Sequence, residues 1–169
     1  MTPVAWILGR PASGKTTLGR RIVAAIAARG AAATLLDSDE ARAAITPSPT
    51  YSTEERLTVY RALAWSAARL AEQGVVVVVA ATAHEASLRR AVRAIVADVL
   101  FVHARCPPEL CERRDPKGLY RAARASAHGT MPGVHVPYEE PTDADVVVDT
   151  GGSVSDAVVD ALVADLLRR

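Results

Sequence analysis

The run Gly9-Arg10-Pro11-Ala12-Ser13-Gly14-Lys15-Thr16 carries the spacing G-x-x-x-x-G-K-[ST]. Glycines in such a run let the backbone curl until successive N–H groups point at one anion. The helix that follows adds the positive end of its dipole. A lysine in the place of Lys15 reaches the β- and γ-phosphates of a nucleotide, and a hydroxyl in the place of Thr16 ligates Mg²⁺. Gly9, Ala12, Ser13, Gly14, Lys15, Thr16 and Thr17 are therefore the expected ATP-binding residues, with Thr16 also a metal ligand. The competing explanation is a chance glycine-rich turn. Against it, the motif follows the apolar run Val4–Leu8 and opens a segment with Leu18, Ile22 and Ile26 at helical spacing. That is the strand–loop–helix setting the chemistry requires.

Two further clusters bear chemistry. Asp37-Ser38-Asp39 follows Leu35-Leu36, so both carboxylates emerge at the carboxyl edge of a sheet, where open α/β sheets bind ligands. Such a pair can divide labour, one member taking the proton of an acceptor hydroxyl and the other holding Mg²⁺ through water. The plainer alternative makes Asp39 the cap of a helix through Glu40-Ala41-Arg42-Ala43-Ala44, and the two roles are compatible. Arg113 to Arg124 holds five basic residues and one acid. A charge run of this kind is ordinarily a solvated helix face. In a phosphoryl-transfer enzyme it clamps the transferring phosphate and closes a lid.

The phosphate motif alone does not separate kinases from GTPases or ATPases. The chain has no N-K-x-D guanine signature, and its third apolar strand runs into Ala81-Thr82 without the acidic residue of an ordinary Walker B strand. At 169 residues it has the size of small nucleotide and metabolite kinases. The expectation is transfer of the ATP γ-phosphoryl group to an acceptor hydroxyl.

These residues need a scaffold at fixed distances. Val4–Leu8, Thr34–Leu36, Val75–Ala80, Val99–Ala104 and Asp145–Val148 read as strands, and Val75–Ala80 is apolar on both faces, as in a central parallel strand. Helices are expected after the glycine loop, from the Ser52/Glu55 capping box to Gly74, over Glu85–Val96, and over Pro108–Arg113 and Pro116–Arg124. A last one is capped by Ser153, with Val158, Leu162 and Leu166 inward. His128 to Asp143, rich in Gly and Pro, reads as a mobile flap. The expected fold is a three-layer α/β/α sandwich with a mostly parallel sheet, the P-loop NTPase fold with a lid. It is expected to form one domain over residues 1–169, with lid and flap at roughly 113–141.

Half the residues are apolar but only 4% aromatic, which suits helices packed closely on a sheet. Twenty basic against nineteen acidic residues give no long-range pull toward nucleic acid or an anionic membrane. Cys106 and Cys111 form neither a disulfide framework nor a zinc pattern, and no signal peptide or membrane span is apparent. A cytoplasmic protein is expected.

Cys111-Glu112-Arg113-Arg114-Asp115-Pro116-Lys117-Gly118-Leu119-Tyr120 resembles the C-E-x-R-D-P-K-G-L-Y signature of the adenylyl-sulfate (APS) kinases. Pro137-Tyr138-Glu139 with Pro141 is similar to their P-Y-E-x-P, and Asp37-Ser38-Asp39-Glu40-Ala41-Arg42 to their D-G-D-N-V-R. Tyr51-Ser52 with Arg56 parallels their F-S-x-x-D-R, and Asp149-Thr150 their late D-T. The resemblance covers essentially the whole chain. It implies that Lys15 and Thr16 bind ATP and Mg²⁺, and that Asp37 and Asp39 serve as base and metal holder. It places Arg42, Tyr51 and Arg56 on the acceptor nucleotide, and Arg114 and Lys117 in the lid, the former toward ATP and the latter toward acceptor. The implied reaction phosphorylates the ribose 3′-hydroxyl of adenylyl sulfate. A homodimer is compatible with it, since many relatives are dimers.

Three positions depart from the pattern: Val59 stands where the family has an acceptor-contacting asparagine, Glu85 where it has an arginine, and Met131 where a flap phenylalanine stacks on the acceptor base. These changes lead to the expectation that the acceptor is a nucleotide with a 3′-hydroxyl but that APS is used less well than is typical. Other acceptors in keeping with the sequence are another nucleotide conjugate, such as a cytidine diphosphate derivative, or a natural-product hydroxyl. A nucleotide-binding partner without turnover is the alternative of a different class. His84, His128 and His135 are expected in loops facing the cleft, and His103 as a hydrogen-bonded structural residue in its strand. Trp6 and Cys111 are expected to be core.

Overall fold

Strands without a polar residue on either face need cover on both sides, and the valine-rich runs of this chain receive it. The structure, a computed structural model, describes residues 1–169. Five strands, β1 (Val4–Leu8), β2 (Ala33–Asp37), β3 (Val76–Ala80), β4 (Val99–Arg105) and β5 (Val146–Asp149), form one sheet in the order β2-β3-β1-β4-β5. Every pairing is parallel, so all five carboxyl ends lie along one edge. The helices are α1 (Lys15–Ala27), α2 (Ser38–Ile45), α3 (Thr53–Glu72), α4 (Ala86–Arg93), α5 (Pro108–Arg114), α6 (Leu119–Arg124) and α7 (Asp156–Arg168).

The two-residue period of β1 distributes its side chains between two cores. Val4, Trp6 and Leu8 point to one face, under Val59, Leu63 and Ala67 of α3 and Leu88 and Val92 of α4. Ala5 and Ile7 point to the other, against Leu18, Ile22 and Ile26 of α1 and Val159, Leu162 and Leu166 of α7. Each fully buried Leu or Ile contributes about 1.5–3 kcal/mol, so most of the stability resides in these two layers. Gly19 keeps α1 close to the sheet: a Cβ there would meet Leu35 Cδ1 at 2.8 Å.

Several boundaries differ from the sequence reading. Ser155, not Ser153, caps α7 by accepting from the Val158 N–H. Val159 and Val163 face inward with Leu162 and Leu166, while Val158 lies on the neighbouring, exposed face. Pro116 lies outside α6 because Asp115 accepts from the Tyr120 and Arg121 N–H groups and Gly118, in the left-handed region, sets the helix start. The segment from His128 to Asp143 contains no helix or strand, only an isolated bridge between Pro132 and Val136. It is anchored nonetheless: the Glu139 N–H donates to the His84 carbonyl at 2.9 Å, and Arg89 holds Asp143 at 2.6 Å. No helix is long and apolar enough to cross a membrane.

Candidate functional site

A cleft of about 1510 Å³ opens along the carboxyl edge of the sheet. One end is the loop between β1 and α1. Gly9 approaches its neighbours so closely that a Cβ would lie 2.6 Å from the Ala104 carbonyl and 2.7 Å from Ser13 Oγ, so only glycine fits. Gly14 has φ +90°, a left-handed geometry that glycine adopts without steric cost. Ala12 is held at φ 59°, a conformation that strains any residue with a Cβ. Because α1 begins at Lys15, the N–H groups of Lys15, Thr16 and Thr17 have no intrahelical acceptor. Ser13 Oγ is buried without a partner. Open donors, a helix start and an unsatisfied buried hydroxyl together suit a polyphosphate.

Lys15 Nζ donates to the Gly9 carbonyl at 3.0 Å and the Arg10 carbonyl at 2.7 Å. Loss of water around the ammonium lowers its pKa to about 8, against the partial support of Asp39 and Asp37. A lysine in this state gains most from anionic phosphate oxygens.

The cap of α2 falls on the other carboxylate of the pair. Asp37, not Asp39, caps α2: its Oδ1 accepts from the Asp39 N–H at 2.9 Å. Its Oδ2 accepts from the Thr16 hydroxyl at 2.6 Å. Asp37 is thus buried with both oxygens engaged. Asp39 faces the cleft with its side chain 61% exposed, and its one ion pair is with Lys117 Nζ at 2.5 Å. That ion pair raises the Lys117 pKa. Lys117 therefore reaches across to the carboxylates, whereas Arg114 anchors the far wall by donating to the Thr150 and Gly151 carbonyls, each at 2.8 Å.

Arg42, Tyr51 and Arg56 are brought together at the other end. The Arg42 guanidinium lies 4.7 Å from the centroid of the Tyr51 ring and that of Arg56 lies 5.6 Å from it. Glu55 organises this group. The capping box expected with Ser52 is half formed, since Ser52 Oγ accepts from the Glu55 N–H. The Glu55 carboxylate instead takes the Thr50 hydroxyl, the Thr50 and Tyr51 N–H groups and Arg42. Those bonds, the Thr50 hydroxyl foremost, hold its pKa down at about 2. They also fix Tyr51 at φ 55°. Sequence reasoning named Glu55 only for its place in the cap; the i, i+4 spacing of Tyr51 and Glu55 was the available signal.

Of the three departures, only Met131 lines the cleft. It packs beside Cys106, Cys111 and Tyr120. Val59 is fully buried among Trp6, Leu63 and Ala83, and Glu85 contacts His84 and Ser87 instead of the cleft. Val59 therefore has no access to an acceptor. His84 is also a correction: it is buried, with Nε2 3.1 Å from Glu85 and Nδ1 unpartnered. His128 is exposed away from the cleft, while His135 does line it. His103 is buried in β4 with a 3.8 Å approach to Glu140 instead of a hydrogen bond. Trp6 is core, and burial pushes the Cys111 thiol up to about 12, which leaves it a small apolar residue.

Residues 1–149 match the family model described as adenylylsulphate kinase. An adenylyl-sulfate kinase of Paraburkholderia xenovorans is 35% identical over 167 residues, 97% of this chain and 92% of that protein. One from Shewanella amazonensis is 34% identical over 166 residues, 97% of this chain and 84% of that protein. The fold superimposes on the Mycobacterium tuberculosis APS kinase CysC, solved in complex with AMPPNP and APS, with a TM-score of 0.91 and 30% identity, covering 99% of this chain and 98% of that one.

Proposed function

This chain belongs to the adenylylsulphate kinase family, and we propose that it transfers the γ-phosphoryl group of ATP to the ribose 3′-hydroxyl of adenylyl sulfate. The observation that carries the reading is one cleft with a phosphate cradle at Gly9–Thr17, a Tyr51 ring beside two guanidiniums at the opposite end, and two carboxylates between these ends. A cradle for ATP and a cation-rich aromatic platform for a second nucleotide give a two-substrate transfer site a place for each partner.

The geometry supports a role for each residue. The backbone N–H groups of Lys15, Thr16 and Thr17 and the Lys15 ammonium hold ATP phosphates, while Arg114 and the Thr150–Gly151 carbonyls it fixes shape the wall beside them. Mg²⁺ fits Thr16 Oγ1, with Asp37 orienting that hydroxyl; its chemistry when bound is to neutralise charge on the phosphate oxygens. Asp39 is the carboxylate free to receive the proton of the acceptor hydroxyl once Lys117 turns from it to the transferring phosphate. The expected labour of the pair is thus exchanged. Arg42, Arg56 and Tyr51 hold the acceptor's phosphate and base, and Met131 closes over the base from the flap. The near-neutral charge and the family's small nucleotide substrates favour a cytoplasmic enzyme with no nucleic-acid or membrane partner.

The test is incubation with γ-labelled ATP, Mg²⁺ and APS. Label should appear in a product from which a 3′-nucleotidase removes it. ATP hydrolysis to labelled phosphate without such a product would overturn the reading.

A further inference from the structure

Arg10 fills a place where the phosphate-loop pattern accepts any residue, and it is not part of the cleft lining. Its side chain runs into the flap, where three residues converge on it. Nη2 donates to Glu140 Oε1 at 2.7 Å. The guanidinium lies 4.2 Å from the centroid of the Tyr138 ring. Nη1 sits against Gly133, where a Cβ would come within 2.9 Å of it. The Arg10 side chain is 17% exposed and that of Glu140 59%, so the ion pair is shielded from water on the arginine side only. At its other end the same residue offers its carbonyl to Lys15 Nζ at 2.7 Å.

The flap segment held in this way also reaches the acceptor end. Its Thr130 carbonyl accepts from Arg56 Nη2 at 2.6 Å, and Met131 lines the cleft. The bridge between Pro132 and Val136 closes the turn between those contacts and Tyr138. One side chain of the phosphate loop therefore joins the Glu139 and Arg56 contacts in holding the segment that carries Met131 into the cleft.

The geometry points to Arg10 as a positioning residue that fastens the flap over 130–140 to the phosphate loop and sets the affinity for the acceptor more than for ATP. The assignment rests on the reading of this cleft as a kinase site whose acceptor lies beside Arg56 and Met131. Arg10→Met keeps much of the side chain's length and removes both the charge and the stack. Loss of one partly shielded ion pair and one cation–π contact should raise the acceptor KM by about five- to thirtyfold. The fall in kcat and the rise in ATP Kd should be smaller than that. Arg10→Lys, which keeps the ion pair but not the planar stack, should lie between. Adding Glu140→Gln to Arg10→Met should cost little more, because the two residues share one contact.

A second arm needs no acceptor. Chymotrypsin cleavage after Tyr138 should be faster in Arg10→Met than in the unmodified protein, at an unchanged melting temperature. This arm reads the flap even if APS proves not to be the substrate. Cleavage and acceptor KM both unchanged would overturn the proposal. So would equal losses in kcat, ATP affinity and melting temperature, the pattern of a general structural contact.

Discussion

Replacing Asp39 with Asn tests the exchanged roles of the two carboxylates. The substitution keeps the side-chain volume but removes the group assigned to accept the acceptor's proton. Its structural cost is small: the one ion pair is to Lys117, both side chains are about 60% exposed, and pairs of this kind are worth about 0.2–1 kcal/mol. For a chain of this length that corresponds to a melting shift of roughly 4 °C at most. Catalysis should fall by about 10²–10⁴-fold, the scale of a lost general base. Asp37→Asn should behave differently. Asparagine caps a helix as well as aspartate, so the bond from the Asp39 N–H survives, but the charge beside the Thr16 hydroxyl does not. Its deficit should appear as a raised Mg²⁺ requirement, partly recovered by excess Mg²⁺. The assay is steady-state ADP release at several Mg²⁺ concentrations, with thermal melts in parallel. Asp39→Asn turnover within tenfold of the unmodified enzyme, or a deficit that Mg²⁺ restores, would refute the division of labour.

Lys15→Ala removes the one side-chain cation of the loop that lines the cleft and leaves the N–H groups in place, so kcat should fall by roughly two to three orders of magnitude while the fold persists. Because the Lys15 pKa lies near 8, nucleotide binding at that pH should take up about half a proton, measurable by calorimetry in buffers of different ionisation enthalpy. Affinity should weaken as pH rises above 8. Stability has the opposite trend: between pH 8 and 10.5 the unfolded chain holds a proton the folded lysine has lost, so this group adds stability as pH rises. Lys117→Met should leave melting within about 1 kcal/mol of wild type yet slow phosphoryl transfer, as the ion pair is exposed but the charge is needed at the transferring phosphate.

The phosphate loop was legible because its chemistry is local: glycines, lysine and hydroxyl lie within eight residues, between a strand and a helix that their own periodicity reveals. The sheet was legible for the same reason, since valine runs with no polar face have no other place. Val59 shows the limit. A linear match puts it at an acceptor-contacting position, but in α3 it turns into the core beside Trp6 while its neighbour Tyr60 borders the cleft. One residue of helical phase separates a ligand contact from a core contact. The partners of Asp37 and Asp39 were hidden similarly, because only the fold decides which one the Thr16 hydroxyl reaches. Arg10 and Glu140 are 130 positions apart, and only the folded flap brings them together.

The central claim concerns the acceptor, and kcat/KM for APS beside cytidine diphosphate conjugates tests it most directly. With Val59 and Glu85 outside the cleft, Met131 is the one departure that lines it, and in the proposed role it forgoes base stacking worth about 1–3 kcal/mol. APS should therefore be the best acceptor of the set, and Met131→Phe should raise its kcat/KM by roughly tenfold. Transfer to a cytidine conjugate with none to APS, from a protein that still binds ATP, would contradict the account.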